Sequence, residues 1–210
     1  MKINKFQVDG KPFLMIDDFL PSEVVDEIED TLKSINDWDH ADNIFDFNTI
    51  VKDKTAILQG DQYRLRTGVL AELAESTLDR ILEILETEFG CKYDKDVLRK
   101  INEWEYAFRF NTSYYEKVND EMLFHYDSKG VTFMYMPCDQ HDDGTYFFAD
   151  GDRDKHVYTL KHKRGSVAIF NASDIMHCSA KPSPLDDYRY TMVWQFVFPS
   201  HLKPIREVIA

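Results

Sequence analysis

The feature that most constrains the fold of this chain is a series of six short, strand-like segments in the second half of the sequence. Each segment is rich in aromatic and β-branched residues, and turn signals such as DDG, ADGD and KHKRG lie between several of them. Short strands interrupted in this way favour an antiparallel sandwich or barrel. The six segments read INEWEYAFRFN, VTFMYMP, TYFFAD, HVYTLKH, GSVAIFN and YRYTMVWQFVF.

The first half of the chain predicts two amphipathic helices. A short extended segment over residues 13–19 leads to the first helix, which has Pro21 in its opening turn and an apolar stripe at helical spacing. The second helix spans residues 69–89, with leucine and isoleucine at three- and four-residue steps and Gly90 as a stop. Helices followed by antiparallel strands predict an α+β fold in which the N-terminal helices pack on one sheet of a jelly roll.

A chain of 210 residues can bury a sizeable core in one domain, and no stretch of it reads as a linker. We therefore expect a single domain over residues 1–210, with a helical part over about residues 1–95 and a jelly-roll core over about residues 96–200. Residues 37–67 mix aromatic, acidic and amide side chains without a period, which predicts a binding loop or lid. The segment between residues 111 and 124 is a candidate part of a substrate mouth.

The acidic balance of the sequence limits its partners. Acidic residues outnumber basic ones by 38 to 25, a net charge of −13, so a broad phosphate-binding face is not expected and nucleic acid is a disfavoured partner. Cys91, Cys138 and Cys178 are odd in number and far apart, which predicts reduced thiols. The N-terminus lacks the apolar core of a signal peptide, and no apolar run approaches the about 18 residues that span a bilayer. We expect a cytoplasmic protein with no membrane partner; the sequence leaves the oligomeric state open.

Three polar side chains in the strand-rich half form a candidate metal site. His125 and Asp127 are two residues apart, so on an extended strand they share one face and can bind the same ion. His177 follows a second apolar run, GSVAIFNASDIM, and is the candidate third ligand. Two imidazoles and one carboxylate form the facial triad of non-haem Fe(II) oxygenases, which leaves other positions on the metal open.

Two other interpretations of these residues stay open at this stage. An arbitrary His-x-Asp motif is most often an exposed polar pair at a strand end. Structural zinc would close its fourth position, often with a thiolate, and Cys178 is the candidate for that role. Cys178 is adjacent to His177, however, and on a strand it would point to the opposite face.

The motif H-x-D…H with the later Arg189 resembles the metal and co-substrate motif of the 2-oxoglutarate and Fe(II)-dependent oxygenases, in particular the prolyl-hydroxylase-like branch. The resemblance covers roughly the whole chain, from FLMIDDFLPSEVVDEI to YRYTMVWQF. It implies a double-stranded β-helix, or cupin-like jelly roll, in which His125, Asp127 and His177 bind Fe(II) and carry the catalysis. It also implies 2-oxoglutarate as co-substrate, with ascorbate as a candidate reductant.

The same resemblance implies a binding site for the distal carboxylate of 2-oxoglutarate. Burying this group requires a paired, hydrogen-bonding cation, and the planar fork of arginine suits it. Arg189 and Thr191 share one strand face, and Tyr135 falls where prolyl-hydroxylase-like members carry a tyrosine that bonds the same carboxylate. The alternative for Arg189 is an exposed charge on a surface strand.

The implied activity is hydroxylation of an aliphatic carbon, in a prolyl or other residue of a peptide or protein or in a free amino acid, with release of succinate and CO2. A nucleic-acid demethylase of the same superfamily is the enzymatic alternative, and the acidic charge argues against it. A non-catalytic, metal-binding jelly-roll module is the alternative from another class. The substrate is a peptide, a protein or a small molecule in the preferred interpretation.

Several residues carry less specific expectations. His40, His141, His156, His162 and His201 are interpreted as solvated. The basic cluster KHKR, residues 161–164, is interpreted as a solvated hairpin tip. The resemblance departs from the family at two places: Phe110 replaces a common tyrosine, and Asp143 stands in a turn that commonly has two glycines.

Overall fold

The computed structural model describes residues 2–36, 39–40, 60–64, 78–87, 95, 103–111, 124–127, 131–180, 183, 185–186 and 188–196, of which 39–40, 60–64, 103–111 and 194–196 are described by their backbone only. The elements in chain order are β1 (Lys2–Val8), β2 (Lys11–Asp17), α1 (Ser22–Ser34), β3 (Asp39–His40), β4 (Gly60–Arg64), α2 (78–87), β5 (Glu103–Asn111), β6 (Val131–Met136), β7 (Thr145–Phe148), a 3-10 turn (Ala149–Gly151), β8 (His156–Leu160), β9 (Ser166–Asn171), β10 (Met176–Ser179) and β11 (Tyr188–Phe196).

Two antiparallel sheets form the framework. Among the described residues, the major sheet has eight strands in the order β1-β2-β9-β6-β11-β5-β4-β3, and the minor sheet has three in the order β10-β7-β8. All six strands expected in the second half of the sequence are present. From β6 to β11 the chain passes four times between the two sheets, and strands distant in sequence such as β2 and β9 pair, which builds the sandwich that the spacing of short strands predicts.

The interior between the two sheets is an aromatic core. Phe13 from β2 stacks on Phe170 from β9 with ring centroids 4.9 Å apart. Phe147 from β7 of the minor sheet packs edge-on against both, at 5.0 and 5.1 Å. Met134 and Ala168 belong to the same buried cluster. These contacts across the sheets hold the interior face of the major sheet against β7, where the candidate metal site lies.

The opposite face of the major sheet packs against the helices. Apolar side chains of α1 and α2 lie in one buried cluster with side chains of β2, β6, β9 and β11. Arg164, in the loop between β8 and β9, adds ion pairs to Asp26 and Glu29 of α1, so this loop also holds the helix in place. The helical contributors to the cluster are Val25, Ile28, Leu32, Ile81, Ile84 and Leu85.

The structure corrects the expectation of a helical N-terminal part at residues 2–8, where β1 lies, while the extended segment expected over residues 13–19 overlaps β2. β1 and β2 form a hairpin, and β2 pairs with β9 inside the major sheet. Asp9 and Gly10 make the turn with φ values of 51° and 71°, the backbone that two-residue hairpins need. The dipeptide Asp-Gly between two apolar segments was the sequence signal for this hairpin.

Residues 78–87 form the described part of the helix predicted over residues 69–89, and the rest of that prediction lies outside the described residues. Most of the predicted lid, residues 37–67, and most of the predicted mouth, residues 111–124, also lie outside them. In the part of the chain that the structure describes, no helix is long and apolar enough to cross a membrane.

Candidate metal centre

The backbone places the His-x-Asp segment directly beside β10. His125 and His177 exchange two backbone hydrogen bonds, 3.0 Å from the amide of His125 and 2.9 Å from the amide of His177. The amide of Asp127 donates to the carbonyl of Ala172 at 3.0 Å. Main-chain bonds at both residues therefore fix the segment between β10 of the minor sheet and the end of β9 in the major sheet. His177 follows β9 in the chain, as the sequence suggested, and it lies within a separate short strand, β10.

The side chains of His125, Asp127 and His177 converge, with one candidate ligand atom from each within 4.8 Å of the others. The Oδ1 atom of Asp127 lies 3.6 Å from Nε2 of His125 and 3.9 Å from Nε2 of His177. Atoms that bind one ion at about 2 Å lie roughly 3 Å apart, so small side-chain rotations would let all three share an ion. The donor set of two imidazoles and one carboxylate fits Fe(II) with positions left open.

Hydrogen bonds orient two of these side chains for metal binding. Nδ1 of His177 lies 3.1 Å from the carbonyl of Ile175, and because a carbonyl only accepts, this nitrogen carries the proton and Nε2 presents its lone pair. Burial and repulsion from His125 lower the pKa of His177, which favours the neutral imidazole that a metal requires. The hydroxyl of Thr132 donates to Oδ2 of Asp127 at 3.1 Å, so Oδ1 is the oxygen that faces the histidines.

Cys178 is not part of this cluster. Its buried side chain packs with Phe148 and Met176 on the outer face of the minor sheet, as the alternation along a strand predicts. Burial raises the pKa of Cys178 to about 12, so it is a thiol and not the thiolate that binds metals. The structure therefore argues against closure of the site by Cys178.

Arg189 lies in the interior, with only 2% of its surface exposed, and the alternative of an exposed strand charge is wrong. Its Nη2 donates to the carbonyl of Gly144 at 2.8 Å and approaches Oγ1 of Thr145 at 3.5 Å. Its Nη1 donates to the carbonyl of Ala180 at 3.2 Å. Thr145 and Ala180 flank the ends of β7 and β10, the same two strands that carry Phe147 and His177. The guanidinium is thus held at the far end of the strand pair that supports the metal site.

Thr191 is two residues further along β11 and is 5% exposed. Strand alternation places it on the same face as Arg189. Its hydroxyl has no hydrogen-bond partner among the described residues. A buried hydroxyl without a partner is costly, so Thr191 suits a site that a polar ligand completes.

The structure corrects the expectation for Tyr135. In the register of β6 and β11, Tyr135 is opposite Met192, and both belong to the cluster that faces the helices. Arg189 and Thr191 lie on the other face of β11, toward the minor sheet. Tyr135 therefore does not join them at the predicted carboxylate site, and burial in the helical core raises its pKa well above the ordinary value.

His162 is a residue of this region that the sequence did not single out, and its interpretation as solvated is wrong. Its Nε2 lies 3.1 Å from Nη2 of Arg189 and 3.3 Å from Oγ1 of Thr145. Burial, followed by repulsion from Arg189, lowers the pKa of His162 well below its ordinary value, so the ring is neutral and accepts from the guanidinium. No local sequence signal marks this residue, because the loop between β8 and β9 brings it to Arg189 only in the folded chain.

Two other histidines that were interpreted as solvated are exposed. His141 is exposed and pairs with Asp186 at 2.6 Å, and His156 is exposed on β8. The cluster at residues 161–164 is more than a solvated tip, because Arg164 binds α1. The side chains of His40 and Phe110, and all of His201, lie outside the described residues.

No protein-family model and no curated protein sequence matches the chain. Solved structures do match. A prolyl-4-hydroxylase from Pseudomonas putida has a TM-score of 0.54 and 11% identity, with 90% of this chain and 93% of the hydroxylase covered. The non-haem α-ketoglutarate-dependent epimerase SnoN of nogalamycin biosynthesis has a TM-score of 0.61 and 13% identity, with 89% and 76% covered. HygX from Streptomyces hygroscopicus, solved with nickel and 2-oxoglutarate bound, has a TM-score of 0.52 and 15% identity, with 91% and 84% covered.

At these identities the likeness establishes the fold. The chain shares the jelly-roll architecture of enzymes whose names include a hydroxylase and an epimerase. The expectation of a jelly-roll fold is confirmed to that extent. Because these relatives act in different ways on one framework, the choice of reaction depends on residues of the site.

Proposed function

We propose that this protein is an Fe(II)- and 2-oxoglutarate-dependent dioxygenase that hydroxylates an aliphatic carbon. The observation that carries the proposal is the convergence of His125, Asp127 and His177 on the interior of a jelly roll that also holds a buried arginine, Arg189. The likeness to a structure solved with nickel and 2-oxoglutarate supports the same combination of ligands.

In this proposal His125, Asp127 and His177 hold Fe(II) through two imidazole nitrogens and one carboxylate oxygen. A metal held this way supplies activation of dioxygen, coupled to conversion of 2-oxoglutarate to succinate and CO2. Neighbouring residues orient these ligands. The carbonyl of Ile175 fixes the tautomer of His177, and the hydroxyl of Thr132 fixes the rotation of the Asp127 carboxylate. Such supporting bonds maintain ligand geometry in metal sites.

Arg189 and Thr191 bind the distal carboxylate of the co-substrate in this proposal. Both are buried on one face of β11, and Arg189 is held from three sides by protein acceptors that set the plane of its guanidinium. Phe147 and Phe170 pack against His177 with ring centroids 5.8 and 5.7 Å away. Their rings keep water from this side of the ligand and strengthen electrostatic interactions in the pocket.

The proposed substrate is a prolyl or other residue of a peptide or protein, or a free amino acid. The prolyl-4-hydroxylase among the structural relatives supports this class. The net charge of −13 argues against a polyanionic substrate, since nucleic-acid binding depends on neutralising phosphates with basic side chains. Tyr126 is 45% exposed between the two ligands His125 and Asp127, so it is a candidate contact for a substrate at the rim.

The proposal is tested by measuring succinate formation from 2-oxoglutarate with Fe(II) and ascorbate, first alone and then with a panel of peptides and amino acids. Products are identified by the mass of one added oxygen atom. We expect turnover by the wild-type protein, and its loss in His125→Ala and Asp127→Ala with a cooperative thermal transition retained. His156→Ala is the matched control, because His156 is exposed on the same sheet and outside the cluster. A protein that neither binds Fe(II) nor forms succinate would be a non-catalytic module.

A further inference from the structure

The turn before β7 carries a buried carboxylate beside Arg189. The side chain of Asp142 has 0% exposure, and its Oδ2 lies 3.5 Å from Nε of Arg189. Its Oδ1 accepts a hydrogen bond of 2.6 Å from the amide of Gly144. Gly144 has a φ of 94°, and a Cβ at this position would lie 2.0 Å from the carbonyl oxygen of Leu160. The turn is therefore held in one conformation, with Asp142 aimed at the guanidinium.

Asp142 balances the charge of Arg189. The other described contacts of the guanidinium are neutral: the carbonyls of Gly144 and Ala180 and the neutral ring of His162. Among the residues that the structure describes, Asp142 is the one carboxylate within ion-pair distance of Arg189. Burial raises the pKa of Asp142, while Arg189 and the amide of Gly144 act in the opposite direction. Oδ2 of Asp142 and Nε of Arg189 are thus two buried groups within ion-pair distance of each other.

A second carboxylate that binds Arg189 would also lie close to the carboxylate of Asp142. Two carboxylates beside one guanidinium leave a net negative charge in a medium of low dielectric, where like charges repel strongly. The second carboxylate must therefore overcome the repulsion from Asp142 as well as gain the attraction of Arg189.

We propose that Asp142 is a specificity-determining residue: it is the resident counter-ion of Arg189 and sets how tightly the pocket binds the distal carboxylate of a 2-oxo acid. This inference rests on the proposed function, because it takes Arg189 as the partner of that carboxylate. In the free protein Asp142 keeps the buried arginine neutralised. In the complex it limits the affinity for dicarboxylic 2-oxo acids relative to those without a distal carboxylate.

The test compares Asp142→Asn with Asp143→Asn. Asp143 is the adjacent residue of the same turn, but it is exposed and pairs with Lys161, so its variant removes the same charge away from Arg189. Binding is measured by calorimetry with Ni(II) in place of Fe(II), using 2-oxoglutarate and 2-oxobutyrate, which has the same keto-acid end and no distal carboxylate. We expect Asp142→Asn to lower the Kd of 2-oxoglutarate by about tenfold or more, since juxtaposed like charges are strongly unfavourable. We expect no change for 2-oxobutyrate, and wild-type values for Asp143→Asn.

Thermal unfolding without metal supplies a second readout. Asp142→Asn removes the negative charge that lies beside the buried Arg189, so the Tm of this variant falls. Glutarate, a dicarboxylate that lacks the keto group, should raise the Tm of this variant more than that of the wild type. A variant that stays unfolded even in saturating glutarate and 2-oxoglutarate would overturn the proposal, because a free carboxylate would then be unable to replace Asp142.

The outcomes separate this inference from the proposed function. If Arg189→Ala loses 2-oxoglutarate binding and Asp142→Asn binds no more tightly than the wild type, the role of Asp142 is wrong and the arginine site stands. An equal gain for 2-oxoglutarate and 2-oxobutyrate also contradicts the inference. If Arg189→Ala binds 2-oxoglutarate as the wild type does, the arginine site itself is wrong and the inference falls with it.

Discussion

The neutral ring of His162 orients the buried guanidinium of Arg189. Its ring accepts from Nη2 of Arg189 at 3.1 Å and lies within 3.3 Å of Oγ1 of Thr145. A protonated ring could not accept this bond and would repel the guanidinium, so the fold keeps His162 neutral by burying it. The function of this residue is to position Arg189.

Replacing His162 tests that role. His162→Phe removes the acceptor, so we expect the KM for 2-oxoglutarate to rise several-fold while the Fe(II) requirement stays the same. His162→Gln keeps an acceptor oxygen and should restore most of the affinity. Equal increases for co-substrate and metal would show a general loss of structure instead of a local effect on Arg189.

The same residue predicts a pH dependence of stability. The pKa of His162 is lower in the folded protein than in the unfolded chain, so the unfolded chain takes up the proton first as the pH falls. Stability should therefore fall below about pH 6.5, the ordinary pKa of histidine. Urea unfolding of wild type and His162→Gln from neutral to acidic pH measures this, and the variant should lose less stability over that range. Parallel curves would contradict the prediction.

Arg189 is the residue with the most specific expected effect. Arg189→Ala removes the proposed partner of the distal carboxylate, so the 2-oxoglutarate requirement should rise far more than the Fe(II) requirement. Arg189→Lys keeps the charge without the planar fork and should recover only part of the affinity. Titrations of turnover against each ligand separate the two requirements, and an equal increase in both would refute the carboxylate role.

At the residue scale, spacing along strands predicted the members of the site that depend on one strand at a time. The two-residue spacing predicted that His125 would lie with Asp127 and Arg189 with Thr191, although His125 forms an isolated bridge with His177 and is not part of a longer strand. Tyr135 could not be placed in this way, because its face depends on the register between β6 and β11. His162 and Asp142 were missed because two separate turns bring them to Arg189.

At the scale of elements, a basic loop holds α1 against the sheet. Nε of Arg164 donates to Glu29 at 2.7 Å, and Nη2 donates to Asp26. The helix begins after Pro21 without a side-chain cap, so its position depends on packing and on this pair of bonds. One arginine that bridges two carboxylates on successive turns favours a single orientation of the helix.

Arg164→Met should lower the free energy of unfolding by about 1 kcal/mol, because the pair is partly exposed and the apolar stem is kept. Lys155→Met is the control, since Lys155 forms a solvent-exposed pair with Asp150. Urea denaturation with an unchanged m-value measures the difference. If both variants unfold at the same urea concentration as the wild type, the loop does not stabilise α1.

The elements themselves were predictable where their patterns are local. Six strands of the second half were recognised from β-branched and aromatic runs, and α1 was recognised from its apolar stripe. The β1–β2 hairpin was missed because β1 alternates weakly and Val8 is the one buried residue along it. Pairing of β2 with β9, which is distant in sequence, gives this hairpin its place in the fold.

At the scale of the whole molecule, each of the two sheets carries a different part of the proposed site. The major sheet carries Arg189 and Thr191 on its interior face, and the minor sheet carries His177 with the His125 segment bonded beside it. The fold class followed from the sequence, but the split into eight and three strands did not, because it depends on long-range pairing. A ligand that touches metal and arginine at once would therefore join the two sheets.

Metal binding should accordingly stabilise the whole molecule. A ligand that binds only the folded state adds about 2.7 kcal/mol at a concentration of 100 Kd. We expect Ni(II) to raise the Tm of the wild type and to leave that of His177→Ala unchanged. Addition of 2-oxoglutarate should raise the Tm further only when the metal is present. An equal metal-induced shift in His177→Ala would place the metal elsewhere.

The most direct test of the central claim is the visible absorption spectrum of the protein with Fe(II), titrated with 2-oxoglutarate without oxygen. A 2-oxo acid that binds directly to Fe(II) held by His125, Asp127 and His177 would change the visible absorption of the metal, and such binding requires open positions on it. We predict a saturable change in the wild type, none in His177→Ala, and a change that needs far more 2-oxoglutarate in Arg189→Ala. Absence of the change in a wild-type protein that binds both Fe(II) and 2-oxoglutarate would contradict the account.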